Sequence, residues 1–210
     1  MLRVGIAGLG FMGMIHYLSY QKVRGAKVAA ICEQTRKRLT GDWRDIKGNF
    51  GPAGTRMDLS GIATYDNLDA MLEDPQIDMV DVTLPPAPHA DIACKALRKG
   101  KHVFCEKPPA KTTEELKSVI EVEKNTNLIL KYGFNHRYHY SVIEAKKLID
   151  SNIMGKLLWL RGVYGKAGSI DYDKNWRNYS KYSGGGILID QGIHMLDLMR
   201  YFSGQNFTNI

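Results

Sequence analysis

Three titratable residues near the C-terminus are spaced for chemistry on one helix face. Asp190, His194 and Asp197 stand at positions i, i+4 and i+7, so a helix would align their side chains. A face of titratable groups can be directed at a ligand, and histidine titrates near neutral pH because its unperturbed pKa is about 6.5. A capped, solvated helix face is the alternative. Neither an HExxH pattern nor a Cys/His cluster is present, so no metal site is predicted.

A glycine-rich turn near the N-terminus is typical of dinucleotide binding. Gly8 to Gly13 has the form GxGxxG and lies between a predicted strand and a predicted helix, the context that gives the motif its meaning. The first glycine allows the tight bend, the second lets a pyrophosphate approach the backbone, and the third allows close helix packing. The cofactor-binding residues predicted in this turn are Gly8, Gly10, Phe11, Met12 and Gly13.

An acidic residue after the second predicted strand favours NAD as the cofactor. Glu33 follows Gly13 by 20 residues, where a carboxylate would accept the ribose hydroxyls and repel a 2′-phosphate. Arg36 begins the basic run Arg36-Lys37-Arg38, which is within reach of the same pocket and is suited to bind that phosphate. An exposed, charged helix face explains the run equally well. NAD is therefore favoured, and NADP stays open.

Apolar runs alternate with helix-period segments as far as Gly133. This rhythm predicts βαβ units and a parallel sheet, and the lack of polar alternation predicts helices on both faces of that sheet. A capping box is predicted at Thr112 and Glu115. The glycine-rich stretch from Thr40 to Gly61 predicts a long excursion that is functional or mobile. The predicted strands are Leu2 to Ala7, Lys27 to Cys32, Ile62 to Tyr65, Ile77 to Thr83, Lys101 to Cys105 and Leu128 to Gly133.

Two turns follow predicted strands at the edge where open α/β sheets bind ligands. A proline-rich turn from Thr83 to His89 follows the fourth strand, and Glu106-Lys107-Pro108 follows the fifth. The proline-rich turn can wall a cofactor cleft, while a structural role as a helix cap is the favoured interpretation of His89. The cofactor-binding residues predicted at this edge are Pro85, His89, Glu106 and Lys107.

The strand and helix rhythm changes near Tyr132, where a second domain is predicted to begin. A helix from about Ser141 to Asp150 precedes a predicted strand from Leu157 to Tyr164. One strand cannot form a sheet that buries its faces, so the chain is expected to lack the rest of this domain. The prediction is an α/β fold with a doubly wound Rossmann domain over residues 1–131 and a truncated α+β domain over residues 132–210.

Composition places the chain among ordinary folded proteins. It is 44% hydrophobic and 24% charged, so a packed core is expected. The net charge of +7 comes from 29 scattered Lys and Arg residues, so no nucleic-acid partner is predicted. No apolar run approaches the roughly 20 residues of a membrane span and no signal peptide is evident, so we expect a cytoplasmic protein without a membrane partner. Cys32, Cys94 and Cys105 are expected to be buried thiols.

Five motifs in order carry a resemblance to a known family. They are the glycine turn, Glu106-Lys107-Pro108, Asn135-His136-Arg137, Trp176-Arg177, and the stretch from Gly184 to Asp197 that begins with three glycines. With these motifs the whole chain resembles the glucose-fructose oxidoreductase, inositol dehydrogenase and rhizopine-catabolism (Gfo/Idh/MocA) family. The resemblance implies a nicotinamide-dependent dehydrogenase that transfers hydride between the cofactor and a secondary alcohol of a sugar, cyclitol or sugar nucleotide.

The resemblance also assigns a catalytic group that contacts the substrate. Lys107, Asp190 and His194 correspond to the family's catalytic lysine, aspartate and histidine. Lys107 would hold the substrate hydroxyl and stabilise alkoxide charge, His194 would take the proton, and Asp190 would orient the hydroxyls or tune His194. Family members differ in whether the lysine or the histidine accepts the proton. A cis Lys107-Pro108 peptide is implied as well. The further substrate-binding residues that the resemblance implies are Arg137, Trp176 and Arg177.

Two other functions are compatible with the resemblance. An NAD-dependent glycosidase oxidises its substrate transiently, and a non-catalytic sensor or repressor keeps the NAD(P)-binding fold alone. Retention of Lys107, Asp190 and His194 disfavours the sensor. Full-length family members continue past the position of Ile210, so the remaining part is expected to supply further strands and the surface of a homo-oligomer, a dimer or tetramer.

Overall fold

One parallel sheet of six strands organises the N-terminal part of the chain. The computed structural model describes residues 1–48, 50–165 and 176–209, which divide into two compact units, Met1–Tyr132 and Gly133–Ile210. The strands are Leu2–Ala7 (β1), Ala26–Cys32 (β2), Ala63–Tyr65 (β3), Met79–Val82 (β4), His102–Cys105 (β5) and Leu130–Tyr132 (β6). Their order is β3-β2-β1-β4-β5-β6 and every pairing is parallel. This is the dinucleotide-binding order, so the predicted Rossmann fold is confirmed.

Helices cover both faces of this sheet. They are Phe11–Tyr20 (α1), Arg36–Leu39 (α2), Leu68–Glu73 (α3), His89–Arg98 (α4) and Thr113–Lys124 (α5). Val4 and Ile6 of β1 belong to a buried apolar cluster with residues of α1, whereas Ala7 belongs to a second cluster with residues of α3, α4 and α5. Because successive strand residues point to opposite faces, the two clusters lie on opposite sides of the sheet, as a doubly wound fold requires.

The ends of two helices confirm local signals in the sequence. The Thr112 hydroxyl accepts a hydrogen bond from the Glu115 amide at 3.1 Å, as the capping-box spacing predicts. The Glu115 carboxylate in turn accepts from the Lys111 amide at 2.9 Å. Helix α4 is followed by Gly100 at φ +74°, a left-handed conformation that glycine adopts without strain.

The glycine-rich excursion between α2 and β3 is anchored to the first unit. Trp43 is fully buried, and its ring meets the ring of Tyr17 edge-on at 4.8 Å. Its indole N–H donates to the Arg38 carbonyl at 2.8 Å. An antiparallel bridge joins Asp42 to Arg56. The buried ring and the bridge therefore tie the two arms of the excursion to the sheet domain.

The regular secondary structure in the described part of the second unit is helical. Its α-helices are Tyr140–Asp150 (α6), Ser180–Ser183 (α7) and Ile193–Ser203 (α8). Short 3-10 turns span Asn135–Tyr138 and Trp176–Asn178, and a π-helical turn spans Leu188–Gly192. Across the described ranges of both units, no helix has the length and apolar character that a membrane span requires.

The strand predicted from Leu157 to Tyr164 is not formed, which corrects the sequence-based expectation. A strand is held by backbone hydrogen bonds to a neighbour, and the described residues of this unit contain no other strand to supply them. Leu158 and Val163 are 82% and 79% exposed. The apolar sequence of this segment therefore stays without regular secondary structure, because no partner strand lies beside it in this part of the chain.

The three cysteines are buried thiols in the first unit, as expected. Cys32, Cys94 and Cys105 form no disulfide. Burial raises the pKa of all three, and that of Cys32 reaches about 11. They are therefore protonated at neutral pH, where a thiol is a poor nucleophile.

Candidate functional site

The glycine turn between β1 and α1 has the shape that a dinucleotide requires. Gly8 has φ +99°, and a Cβ on Gly13 would lie 2.0 Å from the Gly8 carbonyl oxygen, so neither position accepts a side chain. A Cβ on Gly10 would meet no atom within 4 Å. The backbone at Gly10 is thus open to an approaching group at the N-terminus of α1, where Phe11 and Met12 are half-buried. These residues fit a bound pyrophosphate.

Glu33, at the end of β2, is bonded to the glycine turn. One carboxylate oxygen accepts a hydrogen bond from the Leu9 amide at 2.7 Å, and the other accepts from the Thr35 amide at 2.9 Å. The carboxylate is held at the end of the sheet beside the turn, where the ribose of a dinucleotide would offer its hydroxyls.

The arginine that reaches the glycine turn is Arg38. Its guanidinium donates to the Leu9 carbonyl at 3.0 Å, lies 3.7 Å from the Glu33 carboxylate and donates to Asp45 at 2.7 Å. Arg36, the predicted cofactor contact, is exposed at the start of α2. The basic run pointed to this region, but the phase of α2 decides which arginine faces the turn.

His89 ties together the turns that follow β4 and β5. The side chain is fully buried, with Nδ1 2.8 Å from the Pro108 carbonyl oxygen and Nε2 2.8 Å from that of Leu84. Burial outweighs these carbonyl contacts and lowers the pKa of His89. Pro85 is exposed on the first of the two turns. The predicted cofactor contacts of His89 and Pro85 stay predictions.

Glu106 and Lys107 lie on the turn that follows β5. The Lys107-Pro108 peptide is cis, as the family resemblance implied. One oxygen of the Glu106 carboxylate accepts a hydrogen bond from the Lys107 amide at 3.3 Å, and the other lies 3.1 Å from Nε2 of His16. Both oxygens of the Glu106 carboxylate therefore contact groups of this chain. The predicted cofactor contact of Glu106 stays a prediction.

Sequence reasoning missed His16, which lies on α1 directly below this turn. Its Nδ1 is 2.9 Å from a carboxylate oxygen of Asp81. Burial lowers the pKa of His16, but the hydrogen bonds and charges of Asp81 and Glu106 outweigh burial and raise it to about 10. A signal was available, because Asp81 lies within an apolar strand that is covered on both faces, and a buried carboxylate needs a partner.

The predicted catalytic residues of the second unit, Asp190 and His194, are buried, and so is Asp197, the third residue of the predicted helix face. Asp190, His194 and Asp197 are 4%, 5% and 9% exposed. Asp190 lies in the π-helical turn, whereas the other two lie in α8. The sequence predicted a regular helix through all three. A π-helical turn inside a helix is rare and is frequent at functional sites.

Two of the predicted substrate residues form ion pairs with these acids. Arg177 donates to Asp190 at 3.0 Å, and Arg137 donates twice to Asp197, at 2.8 and 2.5 Å. The hydrogen bonds to Asp197 raise the pKa of Arg137. Trp176 begins a 3-10 turn, and its side chain lies outside the described part of the chain.

Aromatic rings surround His194. The His136 ring stacks on it with centroids 4.0 Å apart and planes 10° apart, and Phe134 meets it edge-on at 6.2 Å. Tyr164 lies nearly parallel to it at 6.4 Å. His136 was not predicted to belong to the site, although it stands in Asn135-His136-Arg137, where only Arg137 was assigned a role.

Comparison with known proteins identifies what both units resemble. Residues 2–134 match the GFO/IDH/MocA family, described as an oxidoreductase family with an NAD-binding Rossmann fold. Residues 142–210 match the GFO/IDH/MocA C-terminal domain. Levoglucosan dehydrogenase of Pseudarthrobacter phenanthrenivorans is 33% identical over 97% of the chain, and scyllo-inositol 2-dehydrogenase (NAD(+)) of Bacillus subtilis is 30% identical over 100%. The chain spans about half the length of these relatives, 52% and 56% respectively.

Solved structures give the same result. A levoglucosan dehydrogenase in complex with NADH and levoglucosan superposes with a TM-score of 0.84 at 30% identity, over 97% of this chain and 54% of its own. Myo-inositol 2-dehydrogenase from Lactobacillus plantarum superposes with a TM-score of 0.80 at 30% identity, over 98% of this chain and 57% of its own.

Proposed function

Because this chain belongs to the GFO/IDH/MocA oxidoreductase family, we propose that it transfers hydride between NAD and a secondary alcohol of a sugar, cyclitol or sugar nucleotide. The observation that carries the proposal is the carboxyl edge of the sheet, where the open glycine turn, Glu33 and Lys107 follow three strands of one Rossmann domain. Open α/β sheets bind ligands at this edge. The relatives named above, dehydrogenases of levoglucosan and of inositols, support the substrate class.

NAD rather than NADP is the proposed cofactor. At the glycine turn one arginine is shared by two carboxylates, because Arg38 lies against both Glu33 and Asp45. The three groups carry a net negative charge, which would repel a 2′-phosphate and suits the two ribose hydroxyls of NAD. One of the superposable structures is a complex with NADH.

The roles proposed for the catalytic residues follow from their chemistry. The nicotinamide of bound NAD would accept the hydride. Lys107 would hold the substrate hydroxyl and stabilise the negative charge that grows on its oxygen. His194 would remove the hydroxyl proton, and Asp190, fixed by Arg177, would orient the neighbouring hydroxyls.

A substrate panel tests this proposal. The whole protein is incubated with NAD and with sugars, cyclitols and nucleotide sugars, and NADH is followed by absorbance. Accumulation of NADH with at least one polyol is the expected result. Glycoside cleavage without net NADH would identify the transient oxidation of a glycosidase, and NADH binding without turnover on the whole panel would point to a sensor.

We further propose that the whole protein is a cytoplasmic homo-oligomer without nucleic-acid partners. The basic residues are scattered rather than clustered, so no continuous electrostatic footprint for a nucleic acid is expected. Light scattering on the whole protein measures the assembly, and a monomer at micromolar concentration would contradict it.

A further inference from the structure

A largely buried cluster of charged groups lies below the turn that carries Lys107. It consists of Asp81 on β4, His16 on α1 and Glu106 after β5, and we refer to it as the Asp81–His16–Glu106 cluster. Nδ1 of His16 is 2.9 Å from Asp81, and Nε2 is 3.1 Å from Glu106. Asp81 is fully buried. The three side chains come from three elements that the Rossmann topology brings to one edge of the sheet.

Two negatively charged acceptors determine the protonation state of His16. A carboxylate oxygen only accepts hydrogen bonds, so a ring nitrogen facing it must carry a hydrogen. Both nitrogens of His16 face carboxylates, whereas a neutral imidazole has a single N–H. The imidazolium therefore donates a hydrogen bond to each carboxylate. A neutral ring would instead place the lone pair of one ring nitrogen against the lone pair of a carboxylate oxygen.

The surroundings of His16 support the charged form. The charged groups that act on it are Asp81 from β4 and Glu106 from the turn after β5. The Phe104 ring of β5 stacks on the imidazole with centroids 5.6 Å apart. Tyr20, one turn further along α1, is a neutral neighbour, because burial and the nearby Asp81 carboxylate raise the pKa of its hydroxyl. Together the two carboxylates outweigh burial, so the pKa of His16 lies well above neutral.

Glu106 connects this cluster to Lys107. The carboxylate oxygen that does not face His16 accepts the hydrogen bond of the Lys107 amide. The position of the Glu106 side chain thus bears directly on the backbone from which the Lys107 side chain extends. If His16 lost its charge, a buried carboxylate would lose its cationic partner, and such a group is strongly driven to move or to take up a proton.

We propose that His16 is a positioning residue: as an imidazolium held between Asp81 and Glu106, it fixes the Glu106 carboxylate and, through it, the Lys107 backbone for hydride transfer. The last step rests on the function proposed above. The cluster itself does not, because its contacts lie within the sheet domain.

Nuclear magnetic resonance on the whole protein tests the charge. Imidazole ¹⁵N shifts distinguish a doubly protonated ring from a neutral one, and His16→Gln assigns the signal. His16 is expected to stay doubly protonated at pH 8.5, where exposed histidines with a pKa of about 6.5 are neutral. Glu106→Gln, which keeps the shape of the side chain, should lower the pH at which His16 loses its proton. A neutral His16 at pH 8 would overturn the proposal.

Hydrogen exchange of the Lys107 amide tests the positioning without reference to turnover. His16→Gln and Glu106→Gln are each expected to speed exchange at this amide by about tenfold. His102→Gln is the matched control, because His102 lies on β5 and its Nδ1 accepts from the Ile129 amide, away from the cluster. Unchanged exchange at Lys107 in both cluster variants would sink the proposal, and Glu106→Gln decides the matter if His16→Gln does not fold.

Kinetics of the whole enzyme separate positioning from general destabilisation. His16→Gln should lower kcat by about 10- to 100-fold while NADH affinity stays within about threefold, because misplacing a reacting group slows chemistry more than binding. The double variant His16→Gln/Glu106→Gln should be no slower than His16→Gln. Equal kcat in His16→Gln and wild type would refute the role in hydride transfer. A wild type that oxidises no polyol would instead contradict the proposed function. The imidazole ¹⁵N shifts and the exchange rate of the Lys107 amide would then decide on the cluster.

Discussion

His194 is buried and the side chain of His16 is 12% exposed, yet the two histidines have different neighbours. In the first unit, each ring nitrogen of His16 faces a carboxylate, at 2.9 and 3.1 Å. In the second unit, the ring of His194 stacks on that of His136 at 4.0 Å. Two carboxylates hold a proton on an imidazole, because each ring nitrogen that faces a carboxylate oxygen must carry a hydrogen.

The difference shows that neighbours rather than burial decide what a histidine can do. The pKa of His16 is raised to about 10, so the side chain is a cation at physiological pH. Such a cation can fix the Glu106 carboxylate on the turn after β5. His194 lies among rings and one helical turn after Asp190, and it suits the transfer of a proton. Only His194 was found from the sequence, because spacing along one helix reveals it.

Replacement of His194 tests the proton-transfer side of this comparison and should have the largest effect. Loss of a general base slows turnover by about 100- to 10,000-fold, so His194→Ala in the whole protein should lose most of the proposed activity and its pH dependence near neutrality. The kcat–pH profile with NAD and an accepted polyol is the measurement. His139→Ala, an exposed histidine of the same unit, should behave like wild type. Unchanged turnover in His194→Ala would make Lys107 the proton acceptor.

Replacement of Lys107 tests the turn that the Asp81–His16–Glu106 cluster holds. Lys107→Met should slow hydride transfer by about 100- to 1,000-fold, or 3 to 4 kcal/mol, because a cation that stabilises alkoxide charge is lost. The affinity of Lys107→Met for NADH should change little. The variant Lys107→Arg should also have little activity, because the planar guanidinium does not replace a compact ammonium charge. Single-turnover rates and NADH titrations check both statements, with exposed Lys117→Met as the control. Near-wild-type rates in Lys107→Met would refute the assigned site.

The fixed charge of His16 predicts a pH-dependent stability. Its pKa rises from about 6.5 in the unfolded chain to about 10 when folded. Stability from this raised pKa is fully present below pH 6.5 and is lost as pH rises towards 10, with a slope of up to about 1.4 kcal/mol per pH unit. Urea unfolding at pH 6.5, 8 and 9.5 measures the free energy of unfolding, and the excess of wild type over His16→Gln should shrink as the pH rises. The difference in unfolding free energy between wild type and His102→Gln should not follow this trend. A difference between wild type and His16→Gln that grows with pH would contradict the raised pKa of His16.

Glu33 allows a smaller test, away from both histidines. Glu33→Ala removes a ribose acceptor and one of the two carboxylates around Arg38, so affinity for NADP relative to NAD should rise by roughly tenfold. Titration of both cofactors against wild type and variant gives the ratio, and Glu121→Ala on the exposed face of α5 is the control. A wild type that already prefers NADP would show that Arg38 dominates Glu33.

Sequence by itself determined the first unit in most of its detail. Each of the six predicted strands is present, and the observed bounds lie within two residues of the predicted ones. Apolar runs, turn glycines and a capping box are local signals, and the right-handed βαβ rule leaves few ways to arrange them. The glycine turn, Glu33 and the turn after β5 were found in the same way, because motif and strand end coincide there.

Tertiary structure alone decided which groups pair with buried charges and whether a segment with a strand-like sequence forms a strand. The contact of Asp81 with His16 joins residues 65 positions apart, and the choice of Arg38 over Arg36 at the glycine turn depends on the phase of a four-residue helix. The segment from Leu157 to Tyr164 has a strand's sequence, but the described residues of its unit offer no second strand to pair with it. Ion pairs and strand pairing depend on distances across the fold, and no local pattern in the chain encodes them.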